Sequence, residues 1–388
     1  MSKKPSEDYT DKLVFEAKWF DNVSGMEKIF YLYFFTLDNT IELFDIKSRK
    51  TFLRRIKCDG VKRENLYVGS MVTIFSRTMT ITDIPDAATK NILCKTMQKT
   101  FAILKPNVVD KMGEIFKIIT AHNLQIVNVR MGNFKEKDVE RFYKNNDQFP
   151  FIRSQMTYGP VVLLTLVGEN AVTRWNELIG DNDNNKMNKN KFISLSARYG
   201  EDAIKNGFYG SPNVETAKSE IEEYFPNLKS KRTIDTSATF KNCTLCIILP
   251  HAVQTKLIGD IVNDIQKANY KISAIQSFNI NPVDADEFLE VYKGIMSEYS
   301  AMVAELHSGP CIAMEITHEN PSLAVTEEFR KFCGPKDPDI ARKIRPNTLR
   351  AKYGISKVQN AIHCSDLPTD GLLEVEFFFK ICDQNDAD

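Results

Sequence analysis

Phe101-Ala102-Ile103-Leu104-Lys105-Pro106-Asn107-Val108-Val109 decides the fold, because the chain repeats it as Leu245-Cys246-Ile247-Ile248-Leu249-Pro250-His251-Ala252-Val253. Each stretch is a short apolar run stopped by proline, which reads as a buried strand followed by a turn. A helical pattern then begins near Gly113 in the first and near Gly259 in the second. The spacing between the two stretches is 144 residues, and related matches follow downstream. Tyr158-Gly159-Pro160-Val161-Val162 matches Ser308-Gly309-Pro310-Cys311-Ile312 at 150, and from Gly180 against Gly334 onwards the spacing settles at 154. Strands alternating with helices in a pattern that runs twice predict two copies of one domain.

Outward from this repeat, the junction 227–239 is polar and rich in Lys, Ser and Thr, and reads as a linker. A second polar stretch, 181–190, lies inside the first copy and reads as an exposed loop. Ahead of both copies, the runs 13–20, 29–37, 40–46 and 70–83 are rich in Phe, Tyr, Val, Ile and Thr, with no evident helix, so this segment is expected to be all-β. Leu37-Asp38-Asn39-Thr40 supplies residues that tolerate the positive φ of a short hairpin loop. Lys47, Arg49, Lys50, Arg54, Arg55 and Lys57 gather into what reads as a solvated basic face. The expected layout is a β domain over 1–97, a first copy over 98–226, the linker 227–239 and a second copy over 240–388.

A chain of 388 residues with 43% apolar composition can bury two or three such cores. Lys+Arg and Asp+Glu number 51 each, which argues against nucleic acid as a partner. Eight scattered cysteines and a charged start without an apolar core suggest a cytosolic protein with reduced thiols. No run approaches the roughly 18 apolar residues of a membrane helix, so a soluble protein without a membrane partner is expected. Cys243-x-x-Cys246 has a zinc-like spacing, but no second pair follows and a strand would send the two thiols to opposite faces. Both read as core residues, and no metal site is expected.

The second copy carries a dense polar set: Arg330, Arg350, Asn360, His363, Ser365, Asp366 and Glu374. Arginine forks suit phosphoryl oxygens, asparagine adds neutral donors, and a neutral imidazole can carry a phosphoryl group covalently. Ser308-Gly309-Pro310 and Asn360-Ala361-Ile362-His363-Cys364-Ser365-Asp366 resemble the motifs of the nucleoside diphosphate kinase family, and the resemblance spans both copies. It implies that His363 takes the phosphoryl group, with Glu374 orienting it and Ser365 in the same catalytic group. It also implies that Arg330, Arg350, Asn360 and Tyr292 hold phosphates, and that Mg²⁺ enters only with ATP or NDP. Two positions depart from the family pattern, since Leu249 replaces the strand-end lysine and Lys336 a threonine.

In the first copy the resemblance places Lys105, Tyr143 and Asn206 in the phosphate set, Glu220 beside the nucleophile position and Phe151 against the base. The nucleophile position is Tyr209, the two arginine positions are Asn176 and Ser196, and Asn107 follows the proline in place of aspartate. Arg198, two residues on, would point elsewhere from an extended chain. A phenol with a pKa near about 10 stays protonated at neutral pH. Loss of one preorganised donor costs roughly 10² to 10³ in rate, and a leucine beside phosphate adds desolvation without return. The first copy therefore has no route to a covalent intermediate, and the second is expected to be weak or inactive.

Trp19-Phe20-Asp21, Phe52-Leu53-Arg54-Arg55, Val68-Gly69 and Thr82-Asp83 resemble the DM-ten domain of axonemal proteins. The combined fold expectation is α+β: an N-terminal all-β sandwich or barrel, PH-like, then two ferredoxin-like α/β domains packed as an intramolecular pseudo-dimer. A DM-ten-like segment before two kinase-like copies resembles the layout of axonemal members of the family. That implies a structural role as a microtubule inner protein in the doublet lumen of the ciliary axoneme. The implied partners are tubulin, other microtubule inner proteins and the γ-tubulin complex, with a further place at the basal body or centrosome. The rival expectations are a slow nucleoside diphosphate kinase or histidine phosphotransferase run by His363 with ATP as donor, and a nucleotide sensor without turnover.

Overall fold

The computed structural model describes residues 12–21, 26–75, 77–143, 149–180, 194–202, 205–226 and 234–383. The expected loop 181–190 and the 227–233 portion of the expected linker lie outside the described residues. The chain divides into two compact units, Met1–Gln98 and Lys99–Asp388.

In the first unit, β1 (Lys12–Asp21), β2 (Met26–Phe35), β3 (Thr40–Asp45), β4 (Lys50–Lys57), β5 (Met71–Ile74) and β6 (Arg77–Asp83) form one sheet in the order β4-β3-β2-β1-β6-β5. Its pairings are antiparallel. Period-two alternation buries Leu13, Phe15 and Ala17 of β1 against Phe30, Leu32 and Phe34 of β2 and Ile41 and Leu43 of β3. The β2–β3 turn places Asn39 at φ 54°, and the Asp38 carboxylate accepts from Thr40 N at 3.2 Å. The run 70–83 is two strands rather than one, broken where Phe75 turns to φ 45°. The basic residues of β4 lie on a strand that is exposed almost throughout.

One element corrects the all-β expectation. Ala87–Thr96 is a helix, begun by Asp86, whose carboxylate accepts from Thr89 N at 2.7 Å. Thr89 Oγ1 in turn accepts from Val14 N at 2.9 Å, which ties this helix to β1. Poor helix formers such as Thr, Asn and Cys hid it from a propensity reading, and the cap with its tertiary anchor outweighs them.

The second unit holds one nine-stranded sheet built from both copies. The first copy supplies β7 (Met97–Leu104), β8 (Gln125–Asn133), β9 (Val161–Glu169) and β10 (Phe208–Gly210). After β11 (Asp235–Thr236), the second supplies β12 (Thr244–Ile248), β13 (Lys271–Phe278), β14 (Cys311–Thr317) and β15 (Ile362–Cys364). The order β10-β7-β9-β8-β13-β14-β12-β15 reads the same from either end in terms of the repeat, so the copies meet edge to edge about a pseudo-twofold. At the seam Arg130 of β8 faces Gln276 of β13, and Val129 N donates to Ser277 Oγ at 2.7 Å.

The equivalent helices Met112–Ala121 and Ile258–Lys267 pack on each other beside that seam, where Gln266 bridges Gly113 N and Val109 O. One apolar core runs through both copies, from Phe116 and Trp175 to Phe329 and Leu349. Each copy has a further cluster of its own. The described end of the expected linker is fixed in place: β11 pairs with β8, and Thr239 N and Phe240 N donate to the fully buried Glu315 at 2.7 and 2.6 Å. Among the described residues no helix is long and apolar enough to cross a membrane.

Candidate active site

His363 sits at the middle of β15, opposite Ile247 of β12, while its neighbours Ile362 and Cys364 face the shared core. Its Nε2 lies 3.1 Å from Glu374 Oε2, at the end of the helix Pro368–Glu376. The same carboxylate oxygen accepts from Ser365 Oγ at 2.7 Å, and Ser365 Oγ accepts from Leu245 N at 3.2 Å. A carboxylate only accepts, so it fixes Nε2 as the N–H and leaves the lone pair on Nδ1. Phe288 packs edge-on to the imidazole with ring centres 5.1 Å apart. His363, Glu374 and Ser365 therefore come together as the sequence proposes.

The cations are arranged differently. Tyr292 OH donates to Asp366 Oδ2 at 2.6 Å, Lys336 Nζ to the same oxygen at 2.8 Å, and Arg330 Nε lies 3.2 Å from Oδ1. Burial works against the Asp366 anion, but the hydrogen bonds from Lys336 and Tyr292 win and hold its carboxyl below the ordinary range. Arg350 is buried and donates to Gly334 O at 2.7 Å, Ile362 O at 3.3 Å and Cys364 Sγ at 3.5 Å. Asn360 Nδ2 donates to the carbonyls of Lys336 and Lys357, while its buried Oδ1 has no hydrogen-bond partner.

His363, Arg350, Asn360, Lys336 and Leu249 line one cavity of about 500 Å³, counted with its open mouth. Arg330 and Tyr292 are not among the lining residues; Arg330 joins this group through Asp366, and Tyr292 through Asp366 and through its ring, whose centre lies 3.8 Å from Lys336 Nζ. Leu249 presents an apolar side chain to this cavity, and Phe288, Met296, Met302 and Leu306 extend that apolar wall.

The first copy keeps the scaffold and changes the nucleophile. Tyr209 on β10 donates its hydroxyl to Glu220 Oε1 at 2.5 Å, and Ser211 Oγ donates to the other oxygen. Tyr209, Ser211 and Glu220 thus repeat the arrangement of His363, Ser365 and Glu374. Burial, with the Glu220 hydrogen bond second, pushes the Tyr209 phenol well above its ordinary pKa, so it stays protonated. Lys105 Nζ donates to Asn206 Oδ1 at 2.6 Å and lies 5.6 Å from the centre of the Tyr143 ring; burial lowers its pKa to about 8. Phe151 is exposed, Asn176 Nδ2 donates to Ser211 O, and Ser196 is buried. Arg198 lies on the helix Leu195–Tyr199, not on an extended segment, and pairs with Glu114.

Two arrangements were not visible in the sequence. Asp366 accepts from both Lys336 and Tyr292, across gaps of 30 and 74 residues, and lies within ion-pair distance of Arg330. His251 holds the turn before His363: its Nδ1 lies 2.7 Å from Glu305 Oε1, and its Nε2 accepts from Ala361 N at 3.2 Å. Ala361 itself adopts φ 72°, a strained conformation for a residue with a side chain. Cys243 and Cys246 fall in different core clusters.

The family model described as nucleoside diphosphate kinase matches residues 98–229 and 242–383. The chain belongs to the nucleoside diphosphate kinase family. It is 40% identical over 377 residues to nucleoside diphosphate kinase homolog 7 of Rattus norvegicus, covering 96% of this chain and 94% of that protein. The same shares and identity hold for the homolog 7 of Mus musculus. An alignment of that length takes in the N-terminal sheet as well as both kinase-fold copies. Thioredoxin domain-containing protein 6 of Xenopus laevis is 30% identical over 301 residues, 76% of this chain and 45% of its own length. Both kinase copies of the chain thus carry the family fold, while the two sites within it differ in residue content.

Proposed function

We propose that the chain is chiefly a structural protein of the cilium, a microtubule inner protein of the axonemal doublet, whose kinase-fold copies serve as binding surfaces. Tubulin and neighbouring microtubule inner proteins are its partners in this reading, with the γ-tubulin complex as a further one. The order of its parts, a DM-ten-like segment ahead of the kinase-fold pair, supports the location. The observation that carries the structural role is the division of the site: Lys105 stands with Tyr209 in one copy, and His363 with Leu249 in the other. Neither copy holds the strand-end lysine and the histidine together, and each missing group is worth roughly 10² or more in rate.

Stepwise extraction of axonemes tests the location. The chain should stay with the doublets through detergent and come off only when salt or chaotrope opens them. Complete release by detergent alone refutes a place in the lumen.

A second reading rests on one specific observation, the His363–Glu374–Ser365 cluster with Nδ1 free to act as nucleophile. In that reading the second copy is a slow nucleoside diphosphate kinase or histidine phosphotransferase. Arg350 and Asn360 would face the phosphates and Mg²⁺ would enter on the nucleotide. Incubation with γ-labelled ATP and Mg²⁺ should then give acid-labile phosphate that disappears in His363→Ala. No label on a folded chain excludes this reading.

A further inference from the structure

The cavity that His363 lines has two unlike kinds of wall. Leu249, Phe288 and Leu306 belong to the second copy's own apolar cluster, and Met296 and Met302, both half-buried, pack against that cluster. Leu249 follows β12 directly, Phe288 ends the helix Pro282–Phe288, and Met302 and Leu306 lie on the helix Tyr299–Leu306. The charged lining is cationic: Lys336, Arg350 and Lys357 stand against one carboxylate, Glu305.

Both Glu305 oxygens are already engaged, Oε1 by His251 N at 3.0 Å and Oε2 by Gln359 Nε2 at 3.2 Å. Lys336 meets Asp366, and Lys357 Nζ lies 3.7 Å from Glu298 and 3.9 Å from Asp337. Arg350, on the helix Leu349–Tyr353, is 2% exposed, and among the described residues no carboxylate lies within ion-pair distance of it. Its three hydrogen bonds, to Ile362 O, Gly334 O and Cys364 Sγ, take one N–H from each nitrogen, so each terminal nitrogen keeps one N–H for a further acceptor. A buried guanidinium without an anion is costly, because desolvation is not repaid.

Such a lining suits neither a wholly polar nor a neutral ligand. Sugar hydroxyls laid on Leu249, Met302 and Leu306 would lose water without gaining partners. A neutral apolar molecule would leave the Arg350 charge unanswered. We propose that this cavity binds an amphiphilic anion, an aliphatic chain ending in a phosphate or carboxylate, with the chain on Leu249, Met296, Met302 and Leu306 and the head facing Arg350 and Lys336.

The volume of about 500 Å³, counted with the open mouth, has room for a chain of medium length. Methionine is unbranched and polarizable, so Met296 and Met302 let the wall adjust to that chain. The planar guanidinium fork suits the oxygens of either head. Binding of this kind requires neither phosphoryl transfer at His363 nor a place in the axoneme.

The test is calorimetric titration of the full-length chain with butyl, hexyl and octyl phosphate, each kept below micelle formation. Affinity should rise roughly threefold with each added methylene. Octanol, which has the same chain without the charge, should bind at least about tenfold more weakly than octyl phosphate or octanoate, and the tighter of these two names the head. The His363 ring signal in the proton magnetic resonance spectrum, assigned by its loss in His363→Ala, should shift as octyl phosphate is added. Met302→Glu, at a half-buried position, should weaken octyl phosphate at least about tenfold by setting a carboxylate in the path of the chain. Affinity independent of chain length, octanol binding as tightly as both anions, an unmoved His363 signal, or undiminished binding by a folded Met302→Glu each overturns the proposal.

Discussion

Gly113 and Gly259 occupy equivalent places in the two copies, and each lies against the backbone of the other's helix. A Cβ on Gly113 would fall 2.3 Å from Asn263 N, and one on Gly259 would fall 2.6 Å from Lys117 N. Backbone cannot yield as a flexible side chain can, so the two helices would have to part.

Gly113→Ala and Gly259→Ala should each destabilise the second unit by about 1–3 kcal/mol, the usual cost of overpacking. Gly294, with open space around its Cβ position, is the control, and replacing it should cost only the strain of its φ of 76°. Urea unfolding of the three variants decides the matter, and equal losses would contradict close packing at the seam.

Leu249→Lys restores a cation to the cavity that His363 lines. If the rest of the second copy is a working phosphate site, label transfer to His363 should rise roughly tenfold or more. An unchanged signal in the γ-labelled ATP assay would show a cavity shaped for another purpose.

Asp366→Asn removes the charge that draws in Lys336, Arg330 and Tyr292. With that internal anion gone, the second copy should bind a nucleoside triphosphate about tenfold more tightly, by about 1.4 kcal/mol. Calorimetric titration of both proteins at one salt concentration provides the measurement, and weaker binding would mean that Asp366 itself helps to hold the ligand.

Lys105 gives a pH dependence of definite sign. Burial lowers its folded pKa to about 8 from an ordinary 10.5, so between these values the unfolded chain binds more protons than the folded one. Stability should accordingly rise with pH across that window, and the penalty is fully present below about 8. Lys105→Met should flatten this rise and stabilise the neutral protein by on the order of 1–3 kcal/mol. Denaturant titrations through the window check both slopes.

Much of the fold was legible because it is local. Proline-stopped apolar runs marked β7 and β12, and the unequal spacings of 144, 150 and 154 recorded loops of different length between fixed strands. Period-two alternation marked the strands of the N-terminal sheet. The helix Ala87–Thr96 escaped because its residues favour other states and its anchor, Val14 N to Thr89 Oγ1, joins positions 75 apart. At the site, the histidine and its glutamate were readable as a motif. That Asp366 gathers the cations, and that Arg350 turns to Cys364, depends on contacts between distant segments that no local pattern encodes.

The seam through β8 and β13 lies within one polypeptide. Two separate subunits joined at such an edge would fall apart on dilution, whereas covalent connection makes the association intramolecular and independent of protein concentration. It also removes the identity that symmetry imposes on a homodimer. A single substitution in a homodimer alters both sites at once, but here Lys105 and Leu249, or Tyr209 and His363, can differ while the sheet remains whole.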